Sequence, residues 1–198
     1  MVRRAHRRDH RQDRSRRRRE GRGGGAAAPA RGRGRRRGTG ARRRSGPAVK
    51  KVLFVCTGNT CRSVLAHYYA AKLASEEKLK LKFFSAGLEA TPGIPQPKAV
   101  ADLLAKEGVK DFKHVPVMLT GKLIKSHDLV LAMTAAHKDE IVRRYPRAAK
   151  KTQTLVEYAG FGKDDIADPY GRDDFFYFEI FKLIKSAVKA AFEKLKKK

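Results

Sequence analysis

Residues 52–63 read Val52-Leu53-Phe54-Val55-Cys56-Thr57-Gly58-Asn59-Thr60-Cys61-Arg62-Ser63. Four apolar residues end at a thiol, small residues follow, and an arginine stands six positions after the first cysteine. A short apolar run bounded by turn residues reads as a buried strand. Val64, Leu65, Tyr68, Ala71 and Leu73 recur at helical spacing and predict a helix over 63–78. A strand, a loop and a helix start in that order bring several backbone N–H groups toward one point, a cradle for a tetrahedral oxyanion. Gly58 is expected to supply backbone conformations closed to other residues. Arg62 offers a planar fork to two phosphate oxygens. Ser63 stands where it can cap the helix or donate to the thiolate. A lone cysteine in a tight turn is usually structural. Cys-x5-Arg-Ser between an apolar strand and a helix instead favours a nucleophile at the floor of an anion site.

The thiolate, not the thiol, is the nucleophile, and the positive end of the helix together with the Arg62 charge favours it. The same donors would bind a phosphoryl group and stabilise charge on its equatorial oxygens. Attack by Cys56 would give a cysteinyl-phosphate that water must hydrolyse. One carboxyl group can protonate the leaving group and then activate the water. Asp168, in Ile166-Ala167-Asp168-Pro169-Tyr170-Gly171, is the best candidate. Pro169 holds Asp168 extended and Gly171 provides a turn. An Asp-Pro pair alone would read as a turn former, and spacing does not establish that Asp168 reaches Cys56.

The chain resembles the low molecular weight protein tyrosine phosphatase family from about Lys50 to the C-terminus. The resemblance is carried by Val55-Cys56-Thr57-Gly58-Asn59 with Cys61-Arg62-Ser63, by Ser85-Ala86-Gly87, and by Asp168-Pro169-Tyr170, in that order. It implies that Cys56 is the nucleophile, Arg62 the phosphate clamp and Asp168 the general acid and base. It implies further that Asn59 and Ser63 hold the loop by hydrogen bonds, that Ser85 supports it, and that Tyr170 walls the substrate cleft. Thr57, Gly58, Asn59, Thr60, Cys61 and Ser63 would surround the phosphate.

Thr60 narrows the resemblance. Tyrosine-specific members usually carry a bulky aliphatic residue there, whereas the bacterial protein-arginine phosphatases of the family share the loop Cys-Thr-Gly-Asn-Thr-Cys-Arg-Ser. A β-branched hydroxyl can orient water or contact a guanidinium, while an apolar side chain packs on an aromatic ring. Arginine specificity is therefore expected, with tyrosine as the alternative. Departures from the family pattern are Val64 in place of a helix-starting proline, His67 in place of a glutamate, and the segment Lys113-His114-Val115-Pro116-Val117-Met118. They bear on substrate preference more than on catalysis.

Composition changes abruptly near residue 49. Residues 1–48 hold 19 arginines against three acids, a formal +16, which leaves +11 of the chain's +27 to the rest, mostly as lysine. With almost no large apolar residues, this first segment cannot offset its ordering entropy and is expected to be disordered. It lacks the apolar core of a secretory signal. Two readings of it stand: an arm that binds nucleic acid through phosphates, or translated upstream sequence, with Val49 as a non-methionine start. The domain organisation expected is thus 1–48 as a tail and 49–198 as the phosphatase domain.

Cys56 and Cys61 are the only cysteines. That excludes a disulfide scaffold and leaves no second pair for a zinc site, so no metal or cofactor is expected. Cys61 is either a small buried residue or a redox partner that traps an oxidised Cys56 as a disulfide. The lack of a later cysteine pair also argues against an arsenate reductase of the type that forms its own second disulfide. No stretch approaches a membrane span. The expected protein is a cytoplasmic monomer acting on phosphorylated proteins, with nucleic acid as a partner only through residues 1–48. A phosphopeptide-binding module without turnover is disfavoured by the intact set of Cys56, Arg62 and Asp168.

Strand signals at Lys51–Val55, Leu81–Ser85, Asp128–Met133 and Lys151–Val156 alternate with helical patterns at 63–78, 97–107, 135–144 and 173–197. The last carries Phe175, Phe178, Phe181, Ile184, Val188 and Phe192 as an expected core-facing stripe. Alternation of this kind implies an α/β fold, a three-layer doubly wound sheet of four parallel strands with helices on both faces. Ligands then bind at the carboxyl ends of the strands, where Cys56 stands. Lys194, Lys196, Lys197 and Lys198 read as a solvated helix end that complements the helix dipole.

Overall fold

The computed structural model of the protein describes residues 50–110 and 112–197. The arginine-rich segment lies outside the described residues. The chain runs β1 (Lys50–Cys56), α1 (Arg62–Glu76), β2 (Leu81–Gly87), α2 (Lys98–Lys106), α3 (Gly121–Ser126), β3 (Leu129–Ala132), α4 (Ala135–Arg144), a 3-10 turn (Pro146–Lys151), β4 (Thr152–Thr154), α5 (Leu155–Ala159) and α6 (Asp174–Lys196). The four strands form one parallel sheet in the order β2-β1-β3-β4. This is the doubly wound architecture the sequence implies.

Alternation along β1 assigns its side chains to two layers. Val52, Phe54 and Cys56 belong to a core with Leu65, Ala70, Phe181, Ile184 and Val188 of α1 and α6. Leu53 and Val55 belong to a second core with Ile124 of α3 and Ile141 of α4. β3 repeats the division, with Leu131 on the first face and Val130 and Ala132 on the second. A strand covered on both faces has to be apolar throughout, which is why β1 reads as an unbroken apolar run.

The two layers also locate a crevice. The helix that follows β1 packs on one face, and the helix that follows β3 packs on the other. β1 and β3 are adjacent strands. Their connections therefore part at the carboxyl ends and leave a cleft, as at the switch point of any doubly wound sheet. Cys56 is the last residue of β1, paired with Gly87 at the end of β2.

Two short helices, α3 and α5, were not expected, and the fourth strand is shorter than its pattern suggests. Thr154 ends β4 and caps α5: its hydroxyl accepts from the Glu157 N–H, and the Glu157 carboxylate accepts from the Thr154 N–H. This capping box converts Leu155 and Val156 from apparent strand residues into the first turn of a helix. The stripe on α6 is also narrower than expected. Phe181, Ile184, Val188 and Phe192 are buried, whereas Phe175 is 72% exposed and Phe178 is 48% exposed. Tyr177 and Ile180, at the same end of the helix, are buried, so the covered arc passes through them and leaves Phe175 and Phe178 to one side. At the far end, Lys196 pairs with Glu193 and with Glu77, and Lys194 donates to the Tyr158 carbonyl, so these lysines join helices as well as facing solvent.

Candidate active site

The loop from Cys56 to Arg62 wraps a cavity of about 210 Å³, lined by Cys56, Thr57, Gly58, Thr60, Cys61, Arg62, Glu89, Thr91, Ile94, Asp168 and Tyr170. The left-handed residue of the loop is Asn59, at φ 55°, and not Gly58. Asparagine tolerates that region better than most side chains. A Cβ on Gly58 would meet only the Thr60 hydroxyl, at 3.5 Å. The glycine that sterics require is Gly87, where a Cβ would lie 2.4 Å from the Thr57 carbonyl oxygen and 2.9 Å from the Asn59 nitrogen. The β2 end thus packs backbone to backbone against the loop.

Asn59 is fully buried and directs a chain of hydrogen bonds. Its Oδ1 accepts from the Val117 N–H at 2.9 Å and from His114 Nε2 at 3.1 Å. His114 Nε2 also faces the Asn59 carbonyl at 3.1 Å, so this nitrogen carries the proton. With Oδ1 occupied by donors, Nδ2 donates to Ser63 Oγ at 2.9 Å. Ser63 Oγ lies 3.0 Å from Cys56 Sγ. Having accepted from Asn59, the hydroxyl has its own proton to give to the sulfur. The whole chain therefore points donors at the Cys56 sulfur. Of the two roles open to Ser63, the structure selects this one: the residue at the N-cap of α1 is Cys61, without a side-chain cap.

On the other side of the loop, Thr57 Oγ1 lies 2.9 Å from His137 Nε2, and His137 Nδ1 lies 2.9 Å from the hydroxyl of Thr134, the N-cap of α4. Burial, reinforced by the Arg62 charge, pushes His137 down to about 4, so the ring is neutral at physiological pH. This bridge ties the loop after β1 to the helix after β3, across the cleft the topology opens. Cys61 Sγ faces the Tyr177 hydroxyl at 3.4 Å, and burial pushes its thiol up. Both cysteines are free.

Arg62 is 4% exposed. Its NH1 donates to the Ile166 carbonyl at 3.0 Å, and its NH2 forms an ion pair with Asp168. The structure thus brings Asp168 to the loop, at the mouth of the same cavity. The Asp168 side chain is 49% exposed, and its Oδ1 accepts from the Tyr170 N–H. Tyr170 lines the mouth and Gly171 takes its turn at φ 76°. Ser85 Oγ lies 3.2 Å from His67 Nδ1, a contact between β2 and α1. His137, His114 and Glu89 are site neighbours that sequence reasoning missed. His137 has no motif of its own, Glu89 stands two residues beyond Ser85-Ala86-Gly87, and His114 lies in the segment that departs from the family pattern.

A buried thiol at a strand end, a buried arginine six residues on and an aspartate across the mouth set out a phosphoryl-transfer site. The chain's residues 51–198 match the family described as low molecular weight phosphotyrosine protein phosphatase. The chain belongs to this family. Like other low molecular weight phosphatases, it is a cysteine-dependent protein phosphatase. It is 42% identical over 121 residues to a protein-arginine-phosphatase of Bacillus subtilis, covering 61% of this chain and 79% of the relative. It is 32% identical over 142 residues to a probable low molecular weight protein-tyrosine-phosphatase of Ralstonia nicotianae, covering 72% of this chain and 93% of the relative. Among solved structures it superposes on a YwlE arginine phosphatase variant with a phosphorylated active-site serine. That match has a TM-score of 0.71 and 33% identity, and covers 74% of this chain and 96% of the other. Among the described residues no helix is long and apolar enough to cross a membrane.

Proposed function

We propose that this phosphatase hydrolyses phosphoarginine on proteins, with Cys56 as nucleophile, Arg62 as phosphate clamp and Asp168 as general acid and then base. The observation that carries the substrate reading is Thr60. Thr60 lines the cavity together with Cys56, and its hydroxyl lies 3.6 Å from Cys61 Sγ. A hydroxyl at this position can contact a guanidinium or orient the water of the second step, whereas an aliphatic side chain would pack on an aromatic ring. The protein-arginine-phosphatase name of a relative at 42% identity supports the same reading.

The reaction runs in two steps. The Cys56 thiolate attacks phosphorus, the P–N bond breaks, and Asp168 gives its proton to the departing guanidine nitrogen. Arg62 and the loop N–H groups hold the three equatorial oxygens of the transferring group. Asp168, now a carboxylate, takes a proton from water. That water attacks the cysteinyl-phosphate, and phosphate leaves with the thiolate restored. Arg62 enters this cycle by exchanging its contact with Asp168 for one with the phosphoryl group, which frees the carboxyl for proton transfer. Thr57, Gly58, Asn59, Cys61 and Ser63 shape the phosphate cradle, with Ser85 in outer support and Tyr170 as a wall of the cleft. We assign catalysis to residues 49–198, in a monomer working in the cytoplasm, where both thiols stay reduced.

The test is initial rates on matched phosphoarginine and phosphotyrosine peptides under reducing conditions, for the full chain and for residues 49–198. A strong preference for phosphoarginine is expected, with equal rates from the two lengths. A preference for phosphotyrosine would overturn the substrate reading while keeping the mechanism. That alternative rests on Tyr170, whose ring at the mouth offers a face for an aromatic substrate.

A further inference from the structure

One charged residue of the cavity has no part in the phosphoryl chemistry. Glu89 lies at the mouth with Thr91, Ile94, Asp168 and Tyr170. Its position is fixed. The Glu89 N–H donates to the Thr57 carbonyl at 3.0 Å, and the Leu88 N–H donates to the Cys56 carbonyl at 3.0 Å. The backbone that carries Glu89 is therefore an extension of the phosphate loop, locked further by the close approach of Gly87. Among the described residues no lysine or arginine forms an ion pair with Glu89. The neighbouring cation, Arg144, donates to the Leu88 carbonyl but gives its charge to Glu140. The exposed Glu89 side chain thus stands without a counter-ion among the described residues, beside a cavity suited to a dianion.

That placement is unfavourable for an aryl phosphate, which brings only negative charge past the mouth. It is favourable for phosphoarginine, in which a guanidinium sits directly behind the phosphoryl group and keeps its positive charge. We propose that Glu89 is a specificity residue, whose carboxylate accepts the guanidinium N–H groups of a phosphoarginine side chain as its phosphoryl group enters the loop. This rests on the phosphoarginine reading above and deepens it: Thr60 acts from the loop and Glu89 at the mouth. Asp168, which must stay free for proton transfer, is then relieved of holding the guanidinium. The trimethylene stem of the substrate lies between Ile94 and Tyr170, both exposed at the rim.

Steady-state rates of Glu89→Gln, Glu89→Lys and Glu89→Asp on the same two peptides test the assignment. A charge-assisted hydrogen bond at a partly wet site predicts that kcat/KM for phosphoarginine falls roughly tenfold in Glu89→Gln, mostly through KM, and further in Glu89→Lys. The phosphotyrosine value rises in both, because a repulsive charge is gone, and Glu89→Asp recovers part of the phosphoarginine rate. Opposite movement on the two substrates cannot come from a damaged fold. Equal losses on both peptides, or no change on phosphoarginine, would overturn the role of Glu89 and leave the substrate reading intact. A wild-type preference for phosphotyrosine would overturn the substrate reading itself.

Discussion

Asn59 joins two properties that few residues combine. It adopts φ 55° inside the phosphate loop, and its amide divides donors from acceptors so that Ser63 can face Cys56. The sulfur, in turn, is the group through which the family's reaction passes. Replacing it by Cys56→Ser is expected to abolish turnover of any phosphopeptide. Retained turnover at high enzyme concentration would sink the cysteinyl-phosphate route. Asp168→Asn keeps shape but removes the proton. Its kcat is expected to fall about 10²- to 10⁴-fold. The loss should be smaller on substrates with good leaving groups, because these need less protonation. A uniform loss across leaving groups would mean that Asp168 acts only as a partner for Arg62. The sequence made these three residues readable through one local motif and one Asp-Pro, whereas His137 carried no signal and His114 stood out only within a segment that departs from the family pattern.

At the scale of elements, the contact between β2 and the phosphate loop is where geometry is least forgiving. A methyl group at Gly87 would meet backbone atoms that cannot rotate away. Gly87→Ala should cost about 1–3 kcal/mol, as overpacking does, and should cut kcat/KM as well, since the atoms displaced belong to the phosphate cradle. Gly58→Ala is the contrast, because its methyl would make an ordinary contact with Thr60. Melting temperature and kcat/KM measured on both variants decide the matter. If Gly58→Ala is the more damaging of the two, the loop is not braced by β2 as described. The same scale shows where pattern reading stops. Apolar Leu155 and Val156 read as strand, yet the Thr154–Glu157 capping box turns them into a helix, and such a box is visible only once the end of β4 is known.

For the whole molecule, burying neutral histidines makes stability depend on acid. Burial pushes both His67 and His137 from an ordinary 6.5 to about 4. Below pH 6.5 the unfolded chain therefore binds more protons at these sites than the folded one, so stability rises with pH in that range. The contribution is complete above pH 6.5 and is lost as pH falls from 6.5 toward 4. The melting temperature should drop steadily across that window and level off above it. His67→Gln, which removes one of the two sites away from the phosphate loop, should flatten the slope. An unchanged slope in that variant would rule His67 out as a source.

The sequence by itself determined the strand–loop–helix around Cys56 and the four-strand alternating architecture, and it singled out Cys56 and Arg62 as candidates to handle a phosphoryl group. All of these depend on neighbours within a few positions: an apolar run, a helical period, a cysteine and an arginine six apart. Tertiary structure alone decided which distant residues meet that loop and which faces stay wet. Parallel strands need long crossover connections. Arg62 therefore finds Asp168 at a separation of 106 residues, and Thr57 finds His137 at 80. No local period encodes such a pairing. The same reason holds for α6, where Tyr177 and Phe181 are buried while Phe175 and Phe178 are exposed, because the neighbouring layer covers only one arc of the helix.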